Sequence, residues 1–179
     1  QADALAFLTR TGKTPLPCKD RPGFALNRFL CPYCNEAVRL HDEGLATTGQ
    51  IDAVARALFQ VPAGPFQVMN LTKPVVMLHA MEGLARLGPT YQPAAGLQVI
   101  VAQGGDWAID DAPPDLPEGL RQQIAARLTQ ALCLPLQQAL DEGVASAADI
   151  DQGAHDALRF GRAPTAILRA AQPPDGTAG

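Results

Sequence analysis

The chain has 179 residues and a mass of 18.8 kDa, with 47% hydrophobic residues and a mean hydropathy of zero, which is typical of a soluble globular protein with a sizeable core. Fourteen Lys and Arg against eighteen Asp and Glu give a net charge of -4, and without a basic stripe this composition argues against a nucleic-acid partner. No apolar run reaches the roughly 18 residues of a membrane helix, and neither the opening residues nor the four cysteines have the pattern of a secreted protein, so we expect a cytoplasmic protein without membrane contact.

The first predicted elements are a helix, a short strand and a long helix. Residues 2–11 have helical character. Residues 14–19 contain two prolines, which would suit only an edge strand. Residues 24–43 repeat apolar side chains at helical spacing, and Gly44 ends that helix. Because the chain begins with Gln1 and opens like the middle of a fold, we expect it to be a fragment of a longer protein.

Three more helices are predicted before a proline-rich linker. Thr47 and Gln50 have the spacing of a capping box, which opens a helix that runs to Phe59. The next predicted elements are a tight connection over 61–66, a helix from Thr72 to Leu87, a helix over 93–103 and a linker over 104–117. Trp107 is interpreted as the packing anchor of the linker.

The sequence repeats itself at an offset of 99 residues. The matches include Arg28 with Arg127, Cys34 with Cys133, the triplet 42–44 with 141–143, Ile51-Asp52 with Ile150-Asp151, and Pro65 with Pro164. This pattern predicts a tandem duplication of a helical unit. The second copy replaces Asn27 by Ala126, Asn35 by Leu134, Gly64 by Ala163 and Phe66 by Thr165. Since these changes remove polar and turn-forming residues, we expect any chemistry to belong to the first copy.

The run up to Phe66 contains a series of short motifs in one order. They are K-D-R-P-G-F over 19–24, N-R over 27–28, N-E-A over 35–37, E-G-L-A over 43–46, I-D over 51–52 and G-P-F over 64–66. This series resembles the start of the C-terminal helical domain of the L-3-hydroxyacyl-CoA dehydrogenases. The second copy resembles the degenerate tandem domain of longer family members.

The resemblance implies an all-α fold made of two tandem copies of that domain, packed as a pseudo-dimer. It implies three regions: residues 1–20 as a helix and strand remnant of an NAD-binding Rossmann domain, residues 21–109 as the first helical domain, and residues 110–179 as the second. The helix over 24–43 is expected to pack face to face against its counterpart near 122–142.

The resemblance also implies a function for the complete protein: NAD-dependent oxidation of (S)-3-hydroxyacyl-CoA to 3-oxoacyl-CoA in fatty acid β-oxidation. A catalytic His and its Glu partner are expected in the Rossmann domain that this sequence lacks. No G-x-G-x-x-G motif follows a strand in this chain, so the fragment alone is expected to bind no NAD and to be inactive. The expected partners are acyl-CoA and its own missing Rossmann domain, and a homo-oligomer is left open.

The resemblance assigns site residues by position. Asn27 matches the family's Asn beside the catalytic His and the 3-oxygen of the substrate, where a neutral amide can both donate and accept hydrogen bonds. Gly64, Pro65 and Phe66 most simply form a tight packed turn, and we also consider them as a substrate-binding turn in the acyl pocket. Arg28 occurs in both copies and is interpreted as structural, paired with Glu43, Asp52 or an equivalent residue.

Two other functions remain open from the sequence. A non-catalytic helical module could use its apolar faces to pair subunits. A thiol redox protein could use Cys31 and Cys34, although a pair inside a helix is more typical of two small buried residues. The three histidines are far apart and lack ligand spacing, so no metal site is predicted.

Overall fold

The computed structural model describes residues 2–111 and 114–172. Within these residues the secondary structure is helical, with short irregular connections. The helices are α1 (Ala2–Arg10), α2 (Asn27–Asp42), α3 (Thr48–Phe59), α4 (Pro65–Thr72), α5 (Pro74–Leu84), α6 (Ala95–Ala102), α7 (Glu118–Asp141), α8 (Ala147–Leu158) and α9 (Pro164–Ala171). Two 3-10 turns, Ala85–Leu87 and Pro89–Tyr91, connect α5 to α6. The predicted all-α fold class is therefore confirmed.

The predicted strand over residues 14–19 is wrong. That segment has no regular structure, and the described residues contain no strand with which it could pair. Pro15 and Pro17 lack the N–H groups that a sheet ladder requires. The segment instead packs beside the second half of the chain, where the Lys19 backbone N–H donates to the Val144 carbonyl at 2.7 Å.

The capping box of α3 is confirmed. Thr47 accepts the Gln50 backbone N–H, and the Gln50 side chain accepts the Thr47 N–H at 2.9 Å.

The predicted connection over 61–66 is shorter than expected because α4 begins at Pro65. Thr72 does not cap the next helix: it ends α4, and its hydroxyl donates to the Val68 carbonyl. The sequence does not predict α4, because the helix has only eight residues and its first residue, Pro65, is also typical of a turn.

The helices of the second half end 99 residues after helices of the first half. Asp42 ends α2 and Asp141 ends α7; α3 and α8 span 48–59 and 147–158; α4 and α9 span 65–72 and 164–171. No counterpart of α5 or α6 occurs among the described residues of the second half. These bounds support the predicted tandem duplication, which stays a prediction.

The two halves share one core, centred on the contact between α2 and α7. This is the most extensive contact between any two helices of the described chain, so the predicted packing of these two helices is confirmed. Buried aromatic rings join the halves as well: Phe160 packs against both Phe29 and Phe59. The two halves are therefore packed against each other and are not held apart by the linker.

The linker is held against the first half by polar contacts. Asn70 donates to the Trp107 carbonyl and accepts its backbone N–H, at 2.9 and 2.8 Å. The indole ring packs edge-on against Phe66 and His41. The interpretation of Trp107 as a packing anchor is therefore confirmed. Thr48 adds a further contact by donating to the Ala108 carbonyl at 2.6 Å.

Candidate functional site

Asn27 lies at the first turn of α2 with its side chain exposed. The described residues give its amide no hydrogen-bond partner, so both the donor and the acceptor are free to bind a ligand. The preceding turn has left-handed backbone at Gly23 (φ 75°) and at Phe24 (φ 49°). A left-handed conformation is strained for a residue with a side chain, and such strain is common where a loop must present a side chain. Here it leaves the Phe24 ring 58% exposed beside Asn27.

A cavity of about 220 Å³ lies beside this turn. It is lined by Leu16, Cys18, Gly23, Phe24, Ala25, Leu26 and Asn27. Two of these lining residues, Leu16 and Leu26, also approach α8 at Gly153, where an added Cβ would overlap Leu16. The residues that surround Asn27 therefore come from the segment before α2, with α8 directly behind them.

The turn formed by Gly64, Pro65 and Phe66 is buried. The carboxylate of Asp52 accepts the backbone N–H groups of Phe66 at 2.9 Å and of Gln67 at 3.1 Å, and thereby caps α4. A Cβ at Gly64 would overlap Asp52, so glycine allows this close approach. These contacts give the turn a packing role, and its assignment to substrate binding stays a prediction.

Asp52 is a buried carboxyl group. Burial raises the pKa of Asp52 to about 6, although the two backbone N–H groups and Arg56 act in the opposite direction. Asp151, 99 residues later, makes the same kind of cap by accepting the Thr165 backbone N–H at 3.0 Å. The sequence analysis detected the repeat of this aspartate but did not identify its capping function.

An apolar cavity of about 300 Å³ lies between the two halves. Its residues belong to α2, to the turn before α4, to α4 itself and to the end of α8. They are Leu30, Tyr33, Val61, Pro62, Ala63, Val68, Leu71, Thr72, Ala157, Leu158, Arg159 and Phe160. Sequence reasoning missed this cavity because residues 30 and 158 are brought together only by the packing of the halves.

The predicted structural role of Arg28 is confirmed, and its partner is the equivalent of Glu43 in the second half. Its guanidinium is buried and donates to Glu142 at 2.6 Å, and Glu142 is the residue 99 positions after Glu43. The reciprocal pair, Arg127 with Glu43, is also present. A reciprocal pair of this kind is the pattern of a twofold contact, here within one chain.

The two pairs differ in one respect. Arg127 also binds Glu36, whereas the position 99 residues after Glu36 is Pro135. The Nε and Nη1 atoms of Arg28 are consequently buried without a hydrogen-bond partner among the described residues.

Cys31 and Cys34 are buried and have raised pKa values, whereas a redox cysteine needs a lowered pKa. Cys31, Cys34 and Cys133 are buried and Cys18 is exposed, and all four are free. Burial raises the pKa of Cys31 to about 12 and that of Cys133 to about 11, and it raises the pKa of Cys34 as well. Because a redox cysteine needs a lowered pKa, the thiol redox interpretation has no physical support.

The described ranges have neither a membrane-spanning helix nor a cluster of metal ligands. None of their helices is long and apolar enough to cross a membrane. They also contain no group of three or more His, Cys, Asp or Glu side chains that could hold a metal ion.

The sequence of residues 23–105 matches the family model described as 3-hydroxyacyl-CoA dehydrogenase, C-terminal domain. This segment is therefore similar in sequence to the C-terminal domain of the 3-hydroxyacyl-CoA dehydrogenases. The matched segment includes Asn27 and the turn over 64–66, together with α2 to α6.

Similar curated proteins carry matching names. The mitochondrial hydroxyacyl-coenzyme A dehydrogenase of Mus musculus is 37% identical over 100 residues, which cover 54% of this chain and 32% of that protein. A probable 3-hydroxybutyryl-CoA dehydrogenase of Deinococcus radiodurans is 37% identical over 97 residues, covering 53% of this chain and 35% of that protein. The chain spans about a third of the length of these relatives.

Two crystal structures are similar to this chain. The 3-hydroxybutyryl-CoA dehydrogenase of Escherichia coli has a TM-score of 0.78 at 19% identity, covering 94% of this chain and 57% of that one, which shows the fold alone. The (S)-3-hydroxybutyryl-CoA dehydrogenase of Ralstonia eutropha has a TM-score of 0.57 at 32% identity, covering 62% of this chain and 42% of that one.

Proposed function

We propose that this chain is the C-terminal part of an NAD-dependent dehydrogenase that oxidises the 3-hydroxyl group of (S)-3-hydroxyacyl-CoA to a ketone, in fatty acid β-oxidation. The observation that carries the proposal is the family match over residues 23–105, together with the exposed Asn27 beside a cavity. The helical chain would supply one wall of the acyl-CoA cleft, and the Rossmann domain of the complete protein would supply the other.

The described residues do not fit a dinucleotide. They contain no strand, and therefore no strand-turn-helix unit whose glycine-rich turn could hold a pyrophosphate. NAD would be held by the other domain, which would also carry the catalytic His and Glu. The isolated 179-residue chain is accordingly proposed to be inactive.

Asn27 is proposed to position the reacting groups. Its side-chain amide can donate to the 3-oxygen of the substrate and accept from the imidazole once that ring has taken the hydroxyl proton, without adding a charge. Its place at the start of α2 aligns it with backbone N–H groups of the helix terminus, which favour negative charge that develops on an oxygen. Holding two groups in register in this way lowers the entropic part of the barrier.

The proposed assembly is an internal pseudo-dimer. The contact of α2 with α7 and the reciprocal arginine–glutamate pairs support it. These contacts also weaken the alternative of a non-catalytic association module, because the apolar faces of α2 and α7 that would pair subunits already bury each other. The complete enzyme would not require a second subunit to cover them.

The test measures the oxidation of 3-hydroxybutyryl-CoA by the complete protein, with the absorbance of the NADH formed as the readout. Asn27→Ala should lower kcat by roughly 10- to 1,000-fold, the range for loss of a positioning or polarising hydrogen bond. Gln122→Ala removes an exposed amide on α7 and serves as the control with unchanged kcat. Turnover of Asn27→Ala near that of the wild type would overturn the role of Asn27, and no NADH from the wild-type protein would overturn the function itself.

A further inference from the structure

We infer that the apolar cavity between the two halves, defined above by its lining residues, binds the alkyl tail of the acyl substrate and makes the enzyme selective for medium-length chains. This inference rests on the proposed function. It assigns the second half of the chain a part in substrate selection, in addition to its part in assembly.

The apolar cavity begins close to Asn27 along α2. Leu30 lines the cavity and lies three residues after Asn27, on the same face of the helix. At 1.5 Å per residue, the two side chains are about 4.5 Å apart along the helix axis. An alkyl tail that begins next to a reacting carbon at Asn27 can therefore enter the cavity within one helical turn.

Residues of α8 lie near both cavities. Gly153 lies behind the small cavity beside Asn27, where it approaches Leu16 and Leu26. One turn further along α8, Ala157 and Leu158 line the apolar cavity. Residues that contact α8 thus line the first cavity, and residues of α8 itself line the second. In the proposed path a linear ligand extends from the cavity beside Asn27 toward the apolar cavity.

The chemistry of the cavity lining suits an alkyl chain. The lining of the cavity is predominantly apolar, and Arg159, the charged residue among its lining, has an exposed side chain. Such a lining offers little to a polar ligand and suits an aliphatic chain. At about 30 Å³ for a water-sized group, a volume of 300 Å³ has room for an alkyl chain of roughly ten carbons at most.

The cavity draws its two walls from the two halves. Ala63 stands on the first-half wall and Ala157 on the second-half wall. A phenylalanine at either position would fill the cavity from one side. Ala171 lines a different groove, between α7 and α9, and Ala171→Phe is the matched control.

The experiment compares (S)-3-hydroxyacyl-CoA substrates of four, six and eight carbons in the complete protein. Each buried methylene strengthens binding up to about fourfold, so kcat/KM should rise from four to eight carbons in the wild type. Ala63→Phe and Ala157→Phe should each lower the eight-to-four ratio of kcat/KM at least tenfold, whereas Ala171→Phe should preserve it.

A binding measurement separates tail recognition from catalysis. Octanoyl-CoA should bind the wild-type protein more tightly than butyryl-CoA in calorimetry, and both cavity variants should lose that difference. Tyr33→Phe removes only a hydroxyl group from the lining and should leave the chain-length ratio unchanged; a large loss would mean that a polar group occupies the cavity.

The outcomes distinguish the two proposals. If four-carbon substrate is oxidised but the eight-to-four ratio is flat, or if neither phenylalanine changes it, the tail site is wrong and the proposed function stands. If no acyl-CoA is oxidised, the proposed function fails. A loss of the ratio in Ala63→Phe but not in Ala157→Phe would overturn the contribution of the second half.

Discussion

Removing one carboxylate from each of the two reciprocal ion pairs should have unequal effects on stability. Glu142→Ala deprives Arg28 of its carboxylate partner. Glu43→Ala leaves Arg127 paired with Glu36 at 2.6 Å. The same substitution at matching positions therefore produces an unpaired buried cation in one case and a paired, more exposed cation in the other.

The magnitude follows from burial. Arg28 is 1% exposed, and loss of the partner of a buried ion costs about 3 to 5 kcal/mol; because Glu142 is itself 42% exposed and water can enter its place, we expect about 3 kcal/mol. Arg127 is 27% exposed and keeps one carboxylate, so the loss of Glu43 should cost about 1 kcal/mol. The difference of about 2 kcal/mol corresponds to about 4 to 8 °C in Tm for a chain of this size.

The assay is urea denaturation and thermal unfolding of the protein, followed by circular dichroism. Glu118→Ala on the exposed face of α7 is the control and should change stability by less than about 0.5 kcal/mol. Arg28→Met combined with Glu142→Ala should recover most of the loss, because it removes the buried charge and its unpartnered nitrogens together. Equal losses in Glu142→Ala and Glu43→Ala, or no recovery in the double variant, would refute the reasoning.

Three further predictions concern thiols, pH and packing. In the native protein Cys18 should react with a thiol reagent within minutes and the three buried cysteines only on unfolding; fast labelling of more than one thiol would contradict their burial. The pKa of Asp52 is about 6 in the folded protein and ordinarily 3.8, so between these pH values the folded state holds a proton that the unfolded state has lost. The contribution of Asp52 to the free energy of unfolding should therefore fall by up to about 3 kcal/mol as the pH rises from 4 to 6. Urea titrations should show a smaller fall in Asp52→Asn, with Asp151→Asn controlling for loss of a helix cap; identical pH profiles for wild type and Asp52→Asn would contradict it. Gly64→Ala should lower Tm by several degrees because its Cβ would overlap Asp52, whereas Gly119→Ala, in open space on α7, should not.

The sequence could predict the features that depend on short spacings. The capping box of Thr47 and Gln50, the long helix before Gly44 and the repeat at 99 residues are each encoded within a few residues or by direct identity. The motif series containing Asn27 and the turn over 64–66 predicted the family for the same reason. The strand over 14–19 was wrong, since a strand exists only with a partner and none is available to it in the described chain.

The sequence by itself determined the helical fold class and the similarity of residues 23–105 to the 3-hydroxyacyl-CoA dehydrogenases. Only the tertiary structure decided the identity of the Arg28 partner, the capping role of Asp52 and the existence of the apolar cavity. The ion pair joins residues that are 114 positions apart in the chain, and the cap joins residues that are 14 positions apart. The cavity brings together residues that are up to 130 positions apart. Local periodicity records which face of a helix is apolar, but it does not record which other helix that face meets. The meeting of α2 with α7 and α8 is set by how the two halves bury their surfaces together, and the ion pairs and the cavity are consequences of that packing.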